Sequence, residues 1–96
     1  MKSDQLYVLE CNGYYKIGIT NNITNRLKSL QTGNAHEINV IHIEERYKPE
    51  KAEKYLHQKF SNKRLKGEWF KEVTLHEILV ALKLFLDQPI HPEEFN

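Results

Sequence analysis

The sequence predicts a small α/β (α+β) fold: a mainly antiparallel three-stranded sheet flanked by helices, in the order ββαβα, then a short extended segment and a C-terminal helix. Three observations predict it. Two β-prone runs, "LYVLE" and "YKIGIT", are separated by "CNG", and Asn-Gly between such runs is the strongest short signal for a hairpin. A third run, "INVIHIEERY", is rich in β-branched residues and follows a stretch of helical period. Elsewhere apolar residues recur at spacings of three and four, which gathers them on single faces of helices that need a sheet to cover.

In the first helix, Asn21 or Asn22 supplies the N-cap for residues 23–31, with Ile23, Leu27 and Leu30 on one face and Gly33 as the stop. Arg26 lies beside that apolar stripe. The third strand runs through Ile38, Val40 or Ile41, and Ile43. Lys48 then precedes Pro49 and Glu50, and a proline at the first helical position with an acid in the first turn marks a helix start. That second helix runs to about Phe60 and buries Ala52, Tyr55, Leu56 and Phe60; Glu53 and His57, four apart, share a neighbouring face and are placed to address one ligand. "KRLKGEWF" reads as a loop through Gly67 into an extended segment where Trp69 and Phe70 help to close the core. "TLHE" at residues 74–77 is a capping box for a last helix, about 74–87, whose Ile78, Leu79, Leu82, Phe85 and Leu86 cover a wide face. Pro89 and Pro92 end it, and 88–96 form a short tail.

The 96 residues, with no internal repeat, are expected to make one domain, 1–96. Hydrophobic residues at 40% against 28% charged is the balance of a chain that folds by burying a core, which excludes a disordered tail. The longest apolar stretch, around 78–86, is broken by Lys83 and falls short of the roughly 18 residues of a membrane span, so no membrane partner is expected. The N-terminal residues lack the pattern of a secretory signal and the lone Cys11 cannot form an internal disulfide, so the expected setting is the cytoplasm. Net charge is +1, but residues 48–71 carry eight Lys and Arg against three acids while 72–96 carry one against five. The basic stretch is able to meet phosphate, and equally able to be a solvated helix face.

The runs "LYVL" and "YKIGIT", an arginine eight positions after the glycine, "AEKYLHQKF" and "GEWF" together make residues 5–71 resemble the GIY-YIG nuclease superfamily, in a compact branch whose second motif reads KIG. The resemblance implies a first-motif tyrosine at Tyr7, a glycine ending the second strand at Gly18, a helix arginine at Arg26 and a metal-binding glutamate at Glu53. The chain departs from the pattern at Gln5 and Leu6, where the first motif's name has glycine and isoleucine, and at Lys16, where the second motif has a tyrosine. Tyr15 is no substitute, because adjacent strand residues point to opposite faces; Lys16 inherits the role or nothing does.

These residue types suit phosphodiester hydrolysis, which needs a positioned water and neutralised phosphate oxygens. Glu53 would hold Mg²⁺, or Mn²⁺, with several waters retained, since one carboxylate cannot build a cage. Arg26 would present its fork of donors to a phosphate oxygen, Tyr7 is cast as general base or orienter of water, and His57 is a rival base one helical turn from Glu53. Lys16 and Arg64 are further phosphate contacts, and Glu68 is chemically ambiguous. Taken singly, each has a bland reading as a packing tyrosine or a solvated helix residue; their order in the chain gives the sharper one. The expected function is a divalent-metal-dependent endonuclease or nicking domain acting on DNA, with RNA or a nucleotide as other partners and a homodimer or partner protein supplying the affinity that a nearly neutral domain lacks. The alternative is a catalytically degenerate module of the same fold that binds nucleotide or nucleic acid without cleaving it.

Overall fold

In the computed structural model, which describes residues 4–45, 48–67 and 69–86, β1 (Gln5–Cys11) and β2 (Tyr14–Thr20) pair antiparallel across the turn at Asn12 and Gly13. Both turn residues are left-handed, with φ of 53° and 87°, as a type I′ hairpin turn demands and as Asn and Gly adopt at least cost. Glu10 fastens the turn: its carboxylate accepts from the Gly13 N–H at 2.9 Å and from the Asn39 side-chain amide, on β3 (Asn39–Glu45), at 3.1 Å. The Gly13 N–H foremost, and then Asn39, hold the Glu10 carboxyl below the ordinary carboxylate range. A group lowered in this way adds stability above its ordinary pKa and loses it as pH falls through the lowered folded value. Glu10→Gln is therefore expected to flatten the decline of the urea midpoint between about pH 5 and pH 3, read by circular dichroism.

The sheet has the order β3-β1-β2-β4 and is antiparallel throughout. It thus has four strands where the sequence predicts three, because the extended segment joins it as β4 (Trp69–Phe70), pairing Tyr15 with Phe70 and Lys16 with Trp69. Chain reversal about Gly67 (φ 77°) secures this short strand from its other side. The Leu65 N–H donates to the Trp69 carbonyl at 2.7 Å, and the Lys71 N–H to the Lys63 carbonyl at 2.9 Å. On the far side, a bulge between Val8 and Leu9 shifts the register of β1 against β3, so Ile41 packs into the core while Val40 and Ile43 are left partly exposed.

Strand alternation divides the side chains between two faces. Leu6, Val8, Ile17 and Phe70 meet α2 (Pro49–Lys59) and α3 (Leu75–Leu86), burying Ala52, Leu56, Ile78, Ala81 and Leu82. Tyr7, Leu9 and Cys11 face the other way, under Ile23, Leu27 and Leu30 of α1 (Ile23–Gln31). Caps hold two of the helices: Asn22 Oδ1 accepts from the Asn25 N–H at 3.1 Å ahead of α1, and Thr74 and Glu77 exchange the two bonds of a capping box at 3.1 and 3.2 Å ahead of α3. Among the described residues no helix is long and apolar enough to cross a membrane.

One topological consequence positions the site. Gln5 pairs with both Thr20 and Glu45, so the end of β2 that leads into α1 and the end of β3 that precedes α2 lie at the same end of the sheet, on either side of β1. The first turns of α1 and α2 therefore stand at the same end of the sheet, one over each face.

Candidate functional site

Register places Tyr7 opposite Gly18, and paired residues in an antiparallel ladder project to the same face. The phenol ring of Tyr7, 1% exposed, lies over that glycine: a methyl group added at Gly18 would stand 2.6 Å from Tyr7 Cζ and against its oxygen. Glycine is needed here for space, since its φ is not in the left-handed region. Above the same spot comes Arg26, from the first turns of α1, whose Nε–H donates to Tyr7 Oη at 3.4 Å. Two residues before Gly18 and on the same face, Lys16 is only 6% exposed, with Nζ over the Trp69 ring at 5.5 Å from its centroid. Tyr7, Lys16, Gly18 and Arg26 thus form one group on the α1 face.

Glu53, His57 and Arg64 form a second group. They line an open groove of about 620 Å³ with Glu50 and Lys54, along α2, on the opposite side of the sheet. Arg64 is anchored by its Nε–H, which donates to the Gly67 carbonyl at 2.8 Å. Glu68 lies outside the described residues.

The two groups meet at one peptide unit. In a two-residue hairpin the pairs Cys11/Tyr14, Leu9/Lys16 and Tyr7/Gly18 exchange the backbone bonds, so the carbonyl of Ile17 faces away from β1. Among the described residues β4 ends at the Lys16–Trp69 pair, one residue short of it. His57 fills the place: its Nε2 lies 2.8 Å from the Ile17 carbonyl oxygen, with its ring stacked at a tilt on Phe70, centroids 5.3 Å apart. A carbonyl only accepts, so Nε2 carries the proton and donates to it, and in a neutral ring the lone pair is then on Nδ1. The peptide from Ile17 to Gly18 therefore has His57 on its oxygen and Tyr7 on its glycine.

The donors suit some metals and not others. Among the described residues no three His, Cys, Asp or Glu side chains converge as a metal cluster, which excludes from them a closed cage of the zinc type. One or two carboxylates, Glu53 and Glu50 in the same groove, fit a hard hydrated cation that keeps most of its waters.

Sequence reasoning missed two features. One is Gln31, which fixes the loop after α1: its Nε2 donates to the His36 carbonyl at 2.9 Å and its Oε1 accepts from the Ile38 N–H at 2.8 Å. No periodicity marks a glutamine as a loop clamp. The other is an apolar cleft beside Trp69 and Tyr14, for which the exposed aromatic residue at the start of β2 was the available signal.

A family model described as T5orf172 domain matches residues 4–86. No curated protein and no solved structure matches the chain.

Proposed function

The chain belongs to the T5orf172 domain family, and from that premise we propose that it is a nuclease domain of the GIY-YIG type, hydrolysing DNA phosphodiester bonds with a divalent cation. The family's link to nuclease and DNA-binding modules supports the class. One observation carries the site: Arg26 and Tyr7, 19 residues apart in sequence, meet over a glycine that leaves room for nothing but the phenol.

The chemistry follows from that contact. Beside the phenol it touches through Nε, Arg26 brings a guanidinium able to meet a non-bridging phosphate oxygen. The same guanidinium stabilises the phenolate form of Tyr7, whose Oη takes a proton from the attacking water and becomes the neutral phenol. The water oxygen bonds to phosphorus, the bond to the leaving sugar oxygen breaks, and that oxygen takes a proton from bulk water. Lys16, on the same face as Tyr7, adds positive charge beside the departing group. His57 presents Nδ1 as a second base on the Glu53 side, since Nε2 is committed to the Ile17 carbonyl. Glu53 holds the cation, which when bound supplies charge neutralisation at the phosphate oxygens.

A second reading is favoured by two facts: Lys16 stands where the superfamily has a tyrosine, and Tyr7 is 1% exposed. On that reading the chain binds nucleotide or nucleic acid without turnover. Incubation of supercoiled plasmid with the protein decides between them. Nicking with Mg²⁺ or Mn²⁺ that EDTA abolishes is the expected result. A folded protein that cleaves neither DNA nor RNA, yet binds nucleotide saturably, would establish the second reading.

A further inference from the structure

The proposed chemistry leaves unused a cleft of about 330 Å³ beside the hairpin turn, on the same sheet face as Tyr7 and Arg26. Its walls are mostly apolar and include Cys11, Tyr14 and Trp69, with Asn34, His36 and Lys66 at the rim. Tyr14 is 43% exposed, a large aromatic surface with no core to cover it. The indole of Trp69 is fixed by β4 pairing and by the Lys16 ammonium over its ring.

The rim is equally built. Besides its two bonds described above, Gln31 reaches the Asn34 carbonyl at 3.4 Å, so one side chain holds the backbone of the loop at three points. Asn34 Oδ1 accepts from the His36 N–H at 3.1 Å, which leaves the Asn34 amino group as a donor with no protein partner among the described residues. The Tyr14 hydroxyl and the His36 ring are likewise without protein partners among the described residues.

Flat aromatic walls with unused donors and acceptors at the mouth select a ligand that is flat, apolar on its faces and polar at its edge. An aliphatic chain has no use for the rim. An unstacked nucleobase satisfies both walls and rim. Lys66 at the rim suits a phosphate beside such a base. Tyr14 and Gly18 are four residues apart on one strand, about 14 Å. A strand whose phosphate lies at Arg26 therefore reaches the cleft within about four stacked nucleotides.

We propose that the cleft takes one unstacked base of a single-stranded segment flanking the scissile phosphate, so that looped, frayed or single-stranded DNA is preferred over continuous duplex. This rests on the nucleic-acid reading above. Trp69 is the chain's one tryptophan, so its fluorescence reports the cleft directly. The whole protein, in EDTA, is titrated with a short single-stranded oligodeoxynucleotide and with an abasic strand of the same length. The base-bearing strand is expected to quench Trp69 saturably and to bind about tenfold more tightly than the abasic one. Tyr14→Ala, an exposed position, is expected to remove most of that advantage while leaving abasic binding and the near-ultraviolet dichroism band of Trp69 unchanged. Equal affinity for the two strands, or equal weakening of both by Tyr14→Ala, overturns the base site and leaves the nucleic-acid reading standing. Binding of neither strand overturns both.

Discussion

Gly18→Ala is expected to destabilise the protein by roughly 3 kcal/mol, the upper end for overpacking a filled core. For a domain of this size that is a fall in Tm on the order of 15 °C. The added methyl group would lie 2.6 Å from Tyr7 Cζ, and the obstacle is a rigid ring rather than the end of a flexible chain. Tyr7 has no room to swing, since Leu9, Cys11 and Ile38 surround it beneath α1 and its oxygen is engaged by Arg26. The penalty therefore belongs to a pair of residues. In a Tyr7→Ala background, itself costly because it leaves a cavity, Gly18→Ala is expected to cost little, and the coupling in the double-mutant cycle measures the contact. Thermal melts of the four proteins give the answer. Equal cost of Gly18→Ala in both backgrounds would mean that Tyr7 does not lie over Gly18.

What the sequence makes legible here is local. The Asn12–Gly13 turn, the Asn22 cap and the Thr74/Glu77 capping box each depend on residues within four positions of one another, and each is present. β4 is not legible, because two residues cannot display a period; it exists only because the chain on either side of Gly67 folds back against it. The choice between Val40 and Ile41 as the inward residue of β3 is likewise set by the bulge opposite Val8 and Leu9, a matter of register between strands more than 30 positions apart.

The same distinction governs the site. The order of Tyr7, Arg26 and Glu53 along the chain is visible through the family resemblance, but the contact between Tyr7 and Arg26 depends on how β1 and β2 align beneath α1. That Glu53 approaches from the opposite face of the sheet follows from sheet order and cannot be read from spacing. The bond from His57 Nε2 to the Ile17 carbonyl joins residues 40 positions apart and depends on how α2 lies against β2.

Glu53→Gln carries the largest expected effect on activity. Glutamine keeps the size and helix propensity of glutamate, so the helix should persist. What is lost is the charge. Among the described residues the other carboxylate of that groove is Glu50, one helical turn nearer the start of α2. Metal-dependent nicking is expected to fall by at least about a hundredfold, the upper end of the cost of losing even a supporting group around a metal. Plasmid relaxation measured over a series of Mn²⁺ concentrations separates weakened binding, which excess metal rescues in part, from loss of the chemistry. Nicking that survives the substitution at every concentration would remove Glu53 from the mechanism.

The central claim is that groups on two faces of the sheet serve one site around the peptide from Ile17 to Gly18. Paramagnetic broadening by Mn²⁺, followed in amide and arginine side-chain NMR spectra of the wild type and of Glu53→Gln, tests it most directly. The account predicts that signals of Glu53, His57, Gly18 and the Arg26 Nε–H broaden first and together, and that Glu53→Gln abolishes all four effects. Broadening confined to α2, with Gly18 and Arg26 untouched, would show two separate surfaces and contradict it.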